Sequence, residues 1–513
     1  MLRSSAAVLQ SPGGLAGLIN IVPRTYDQRQ TRIDTLLGSD RLFRTHLSHG
    51  DTVGKISYAV AAGYRHTDGP DHEYARENLT DLYARLVARP VPEWTLSLTA
   101  LGFFGDRQLQ LGEHPASTTL QTRRDHFDPM HGYLFVTKAT YEPSDRAVTE
   151  IIANAALRRY TGHRSGRGSW LEKDYEYGGR VTQVLRLGEA NTLRVGALYN
   201  RWVSPTGKRY YVGRRGDLET LSGFVVDEHD FGRLLVNAGY RLSRTRVNDF
   251  GGFSIEGSSA GLTSVRVKDE WEEPLHTLTL GAAYELTDVW TLFGNVTWGQ
   301  VASRVGMLTA SLDRPGTETR TKVDLGVRRE WEAFGSASLT GFFVDQKDAA
   351  VLSGGTVTVA GDDFALHTNA DRRNYGLELD VRSRRFDNGL QLFANAVVMR
   401  TRDDRRGDWH KDKEVPEVIL GGGASWLVGD VELSVLVKHI GRYENERFMP
   451  GGSAPADLGD FTDVSAKVTY YFGKTKQHSV FFGVDNLCNR HYSTVAGWPD
   501  EGVRFKTGLS LQF

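Results

Sequence analysis

The chain has 513 residues, 10% of them aromatic, with 56 glycines against 15 prolines; that mix suits many strands joined by tight turns and not a helix-rich enzyme. Its 62 lysines and arginines balance 63 aspartates and glutamates, so no global field selects nucleic acid or an acidic partner. The single cysteine, Cys488, excludes an intramolecular disulfide and a multi-cysteine metal site, and no run of about 18 apolar residues exists to form a membrane-spanning helix.

The chain opens MLRSSAAVLQ, without the basic patch, apolar stretch and small-residue cleavage site of a signal peptide. VLQSPGGLAGLINIVPR (8 to 24) reads as a glycine turn, marked by Gly13, Gly14 and Gly17, followed by a buried strand containing Asn20. Beyond it, apolar and polar residues alternate in segments of roughly ten residues, the pattern of strands with one face on lipid and one on water. ENLTDLYARLVA (77 to 88) fits two periods. Leu79, Leu82, Tyr83, Leu86 and Val87 have helical spacing, but Leu82, Ala84, Leu86 and Ala88 also alternate with their neighbours, and the context selects strand.

Alternation recurs in LTLGAAYEL (278 to 286), SASLTGFFV (336 to 344), YGLELDVRS (375 to 383), VELSVLVKH (431 to 439) and SVFFGVDNL (479 to 487). Short breaks are expected at 51 to 55, 89 to 93, 142 to 146, 187 to 191, 230 to 232, 286 to 288, 331 to 335, 384 to 388, 428 to 430 and 472 to 477. Between them lie polar stretches expected to be loops: 106 to 131, 161 to 173, 204 to 219, 246 to 274, 301 to 319, 346 to 371, 402 to 416, 442 to 459 and 489 to 502. Short turns alternating with long loops predict an all-β fold, a transmembrane antiparallel β-barrel of about 22 strands with short periplasmic turns and long extracellular loops. Aromatics near predicted strand ends, among them Tyr141, Tyr199, Trp202, Tyr240, Trp290, Trp298, Trp331, Tyr470, Tyr471 and Phe472, read as interfacial girdles. In the closing segment Val503, Phe505, Thr507, Leu509, Leu511 and Phe513 share one face, and Arg504, Lys506, Gly508, Ser510 and Gln512 the other.

Several phrases resemble the TonB-dependent receptor family, in the family's order. They are LVNAGYRLSRTRV (235 to 247), TLFGNVTWGQ (291 to 300), RPGTETRTKVDLGVRREW (314 to 331), NADRRNYGLELDVRSR (369 to 384) and FFGVDNLCNRHY (481 to 492). In the last, Gly483, Val484, Asn486, Leu487, Asn489 and Tyr492 match the family's penultimate strand. Residues 8 to 24 resemble the end of the family's plug domain through Gly13, Gly14, Gly17, Ile19 and Asn20. The terminal Phe513, with Phe505, Leu509 and Leu511, resembles the insertion signal that the barrel assembly machinery reads.

The resemblance implies an outer-membrane receptor for TonB-coupled uptake of a scarce solute, with "SPGG" near residue 11 pointing to a ferric siderophore. Residues 1–26 are expected to be a remnant of the plug and 27–513 the barrel. The signal peptide, TonB box and most of the plug would lie upstream, so coupling to the TonB complex is expected only if that region is present. The chain as written would be an open or loop-occluded pore. A plugless passive pore or surface-binding barrel is the alternative. The other expected partners are outer-membrane lipid and no nucleic acid, the chain being a monomer.

No nucleophile elbow, metal-binding helix motif, phosphate loop or dinucleotide fingerprint appears, so neither an enzyme nor a cofactor is expected. RRDHFDPMHGY (123 to 133) brings Arg123, Arg124, His126, Asp128 and His131 into an expected outer loop; a transition-metal site is conceivable there, an ordinary solvated loop fits better, and no metal is expected. Tyr210 and Tyr211 in KRYYVGRR, Tyr443 in YENERF and Trp498 in AGWPDEG mix aromatics with charge. Such groups could stack on a flat ligand and hold an anionic iron chelate, or serve equally as girdle and loop residues.

Overall fold

A computed structural model describes residues 8, 22–70, 73–111, 124–166, 168–207, 214–251, 253–254, 262–359, 362–405, 407–445, 456–495, 498–500 and 502–513. Among these, twenty-two strands pair antiparallel, each with its neighbours, into one closed barrel. The ring closes where the first strand, Gln30–Gly38, meets the last, Arg504–Gln512, in the register Ile33 to Leu511, Thr35 to Leu509 and Leu37 to Thr507. Closure gives each of the twenty-two strands a neighbour on both sides along the ring, which is the condition for β-structure in hydrocarbon. No helix among the described residues is long and apolar enough to cross a membrane.

The period-two pattern sorts side chains as expected. Leu280 is 56% and Leu325 64% exposed because they stand on the outer wall, where lipid is the solvent. On the final strand Phe505, Leu509 and Phe513 are exposed, whereas Lys506 turns inward to an ion pair with Asp485. The ambiguous segment is the strand Glu77–Ala88, with Leu82 and Leu86 on the outer face. Polar side chains line the lumen and pair across strands: Thr220 with Thr245 at 3.0 Å, Ser222 with Ser243 at 2.9 Å, Arg158 with Asp174 at 2.9 Å.

Each of the ten expected short breaks meets a junction between consecutive strands, although 51 to 53 and 142 to 144 still belong to the strands Leu42–Val53 and Asp125–Ser144. Gly54, at φ +59° in the turn between Leu42–Val53 and Ile56–Thr67, takes a left-handed conformation that glycine adopts without a Cβ penalty.

The expected loops need correction. Residues 161 to 173 lie largely in Ala147–Arg164 and Gly168–Arg186, and 346 to 371 in Gly335–Val359 and Asp362–Ser383. These stretches are polar on both faces because the strands rise beyond the lipid belt, where both faces meet water. Leu308 and Phe364 bury each other there, backed by Val265, Val357, Val359 and Leu366, so outer connections pack on the projecting hairpin. Two aromatics expected in the girdles face inward instead. Trp202 shares the face of Glu176, its partner across the strands, and Tyr471 donates a hydrogen bond to Glu432 at 2.8 Å.

The chain reaches the first strand from inside the barrel. The Tyr26 ring lies on Gly50, where any Cβ would clash with it, and the Tyr26 carbonyl accepts from the Thr52 and Ser57 hydroxyls. Val8 is wholly buried against Phe224 and Val226 of the inner wall. Gly13, Gly14, Gly17 and Asn20 lie outside the described residues.

Candidate functional site

The inner wall of the upper barrel is set by register. In Ala147–Arg164, paired without a bulge to Gly168–Arg186, even-numbered residues from Glu150 to Arg164 share one face. The odd-numbered Ile151 is 46% exposed on the lipid side, so the even face is the lumen face. It carries Arg158, Tyr160 and Gly162, the cross-strand partners of Asp174, Glu172 and Trp170, with Arg164 one pair further up opposite Gly168.

Aromatic rings gather on this face. Phe103 and Phe127 lie 6.3 and 5.6 Å from Tyr160, and Phe127 meets Trp170 edge-on at 5.9 Å. The Arg164 guanidinium sits 5.4 Å above the Trp170 ring, within cation–π range. Trp170 Nε1 donates to Glu172 at 2.9 Å, which fixes the indole plane. The group presents ring faces with a cation beside them.

Next to it lies a cavity of about 200 Å³ lined by Arg65, Glu77, Arg107, Arg504 and Lys506, among others. Glu77 is buried between Arg65 at 3.2 Å and Arg107 at 3.4 Å. Three carboxylates, Glu77, Asp485 and the lining Asp40, answer these four cations, so the cavity keeps a positive balance of one charge. Cavity and aromatic wall adjoin, because Arg107 is the cross-strand partner of Phe127. An anionic, flat solute would find its charge and its faces matched in one place.

The residues expected from sequence fall on different sides of this wall. Trp498 reaches the cavity rim, its Nε1 lying 3.5 Å from the carbonyl of Gln110, and Gln110 in turn donates to Glu73. Tyr443 donates to the Thr494 carbonyl at 2.7 Å, tying one outer connection to the last one, and burial pushes its phenol up. Arg124 lies 5.5 Å over the Tyr74 ring, whose hydroxyl is 3.1 Å from His126 Nδ1; His126 stacks on His163 at 4.8 Å. His126 and His131 lie in the strand Asp125–Ser144 and not in a loop. A bulge after Phe127 separates them, and His131 stands on the outward face beside Tyr133. No group of three metal-ligating side chains occurs among the described residues. Arg123, Tyr210 and Tyr211 lie outside the described residues.

Phe103, Phe127, Tyr160, Trp170, Arg65, Arg107 and Arg164 were not singled out from sequence. Phe127 stands inside the stretch 123 to 133 and Trp170 inside 161 to 173, both read as loop. The signal that could have found them is an aromatic in a polar stretch two residues from another large side chain, the spacing of one strand face.

The family model for the TonB-dependent receptor-like β-barrel matches residues 130–487. Among solved structures, the copper transporter OprC superposes with a TM-score of 0.77 at 15% identity, covering 99% of this chain and 84% of that one. The siderophore receptor PiuA from Acinetobacter baumannii gives 0.77 at 12% identity over 100% and 85% of the two chains. The FrpB iron transporter from Neisseria meningitidis gives 0.74 at 11%, over 95% and 82%. No curated protein sequence matches the chain.

Proposed function

Since the chain belongs to the TonB-dependent receptor family, outer-membrane receptors and transporters and not enzymes, we propose that its cargo is a ferric siderophore bearing aromatic or flat anionic groups. The observation that carries this reading is the junction of the cationic cavity with the aromatic wall at Arg107 and Phe127. Four cations beside ring faces suit an anionic organic chelate and repel a bare metal cation. The names of the similar structures support uptake of metal in general: a siderophore receptor, an iron transporter and a copper transporter.

Residues 27–513 form the barrel in this reading, and the preceding segment, which meets the lumen wall through Val8 and Tyr26, belongs to the plug. Arg124, His126, Tyr443 and Trp498 shape the rim. The barrel works as a monomer in outer-membrane lipid, placed there by the assembly machinery through its last strand, and draws its energy from the TonB complex where the plug and TonB box precede it.

The test is uptake in iron-starved cells stripped of their own siderophore receptors and expressing this gene. Radiolabelled iron offered as catecholate, mixed-ligand and aliphatic hydroxamate siderophores should enter with the first two. Uptake of cobalamin or copper alone would contradict the proposal.

A further inference from the structure

Among the described residues the outer wall carries a row of three adjacent basic residues, two of them with no carboxylate in ion-pair distance. His131 is the cross-strand partner of Arg159, and Arg159 of Lys173, so the three side chains stand side by side on three adjacent strands. All three point outward, since they alternate with the lumen-facing Tyr160 and Glu172. Directly below them on the same face come Tyr133, Leu157 and Tyr175, again in register.

The row's height follows from strand geometry. Tyr141, stacked on Trp94 at 4.7 Å, marks the lower aromatic girdle on the strand that holds His131. About ten residues separate the two, which at roughly 3.3 Å per residue and a tilt of about 40° rise roughly 25 Å, the height of the apolar band of such barrels. The row therefore sits at the upper border of the hydrocarbon, at headgroup level.

Four other outward arginines near the upper end have carboxylate partners, whereas Arg244 meets the Glu272 carbonyl and the Trp271 ring. Arg201 meets Asp217 at 2.9 Å, Arg246 meets Glu219 at 3.7 Å, Arg373 meets Asp345 at 2.9 Å and Arg400 meets Glu417 at 3.3 Å. Arg159 and Lys173 have no carboxylate within ion-pair distance among the described residues, and the Lys173 ammonium lies instead 5.0 Å over the Tyr175 ring.

We propose that His131, Arg159 and Lys173 form a binding site for the phosphorylated headgroup of an outer-leaflet lipid, the acyl chains lying along Tyr133, Leu157 and Tyr175. The complementarity is of charge and of layering: adjacent donors at headgroup height, above a ring and aliphatic surface. Arginine and lysine hold phosphate by charge-assisted hydrogen bonds, and an anionic headgroup supplies what Asp217 supplies to Arg201. This site is independent of the cargo, so it can fail while the uptake reading stands.

The test uses the full chain refolded in detergent, with diphosphorylated lipid A, dephosphorylated lipid A and inorganic phosphate as probes, read by native mass spectrometry. Retention of diphosphorylated lipid A over the dephosphorylated form is expected, with no competition from inorganic phosphate at equal phosphate concentration. The Arg159→Gln/Lys173→Gln pair should weaken retention about thirtyfold, at about a factor of five per surface cation. Arg159→Lys, which keeps the charge, should stay within about threefold of the parent. Heat-modifiable migration on gels confirms that each variant is a folded barrel. Equal retention of the two lipids, equal retention by the double variant when folded, or displacement by inorganic phosphate would each overturn the proposal.

Discussion

Arg241 and Val8 are 233 residues apart in sequence, and the guanidinium of the first donates to the carbonyl of the second at 2.6 Å. Arg241 is wholly buried on the inner wall, supported by Ser243 Oγ at 3.3 Å and lying 5.8 Å over the Phe224 ring. Burying a cation costs stability unless its donors are met, and Nη2 of Arg241 has no partner among the described residues. The Val8 carbonyl is therefore part of what lets an arginine stand there, and the same bond anchors the N-terminal segment to the wall.

Replacing Arg241 by methionine, of similar length, should free that anchor. A charge-assisted hydrogen bond contributes about 1.5–3 kcal/mol, so Val8→Cys in a Cys488→Ser background should react at least about tenfold faster with a water-soluble maleimide. Equal labelling rates with and without Arg241 would show that the bond holds nothing.

His367 gives the outer hairpin a pH limit. Burial pushes its imidazole below the ordinary histidine range, and Arg304 adds to that, against the backbone partner Leu308. A histidine whose folded value is depressed contributes no pH penalty above the unfolded value of about 6.5, and stability is lost as the pH falls below it. Amide exchange across residues 362 to 368, corrected for intrinsic rates, should accelerate between pH 8 and pH 5.5. His367→Gln should flatten that response, and an unchanged pH dependence would count against the assignment.

Phe513 separates assembly from stability. Its side chain is 68% exposed, its ring centre lies 5.5 Å from that of His478, and its backbone pairs with Thr31. Phe513→Ala keeps the backbone pairing, so unfolding of the refolded barrel should change by less than about 0.5 kcal/mol. In cells the amount of assembled barrel should fall several-fold if the ring is read by the assembly machinery. Unchanged assembly would remove the insertion-signal role.

Much of this architecture was legible in the sequence because a barrel wall between two solvents writes a period of two. Leu82 and Leu86 face outward as that period requires, although Leu79, Tyr83 and Val87 mimic a helix. The turns were legible because each interrupts the period at a short distance. Strand ends above the lipid were not: around Trp170 and His367 both faces meet water or protein, so the alternation that marks a strand disappears. The site was hidden for a further reason. Arg107 and Phe127 become neighbours only through strand pairing, and a bulge within Asp125–Ser144 sends Phe127 inward and His131 outward from stretches that read alike.

The proposed function requires the Trp170 wall and the Arg107 cavity to receive an anionic, ring-bearing iron chelate. The most direct measurement is fluorescence quenching of the purified barrel titrated with ferric catecholate, parent against Trp170→Ala and Arg107→Gln. Saturable quenching with the parent is expected, with affinity at least about tenfold weaker in each variant, the cost of about 1.4 kcal/mol for a lost ring or charge contact. Equal affinity in all three proteins would contradict the account.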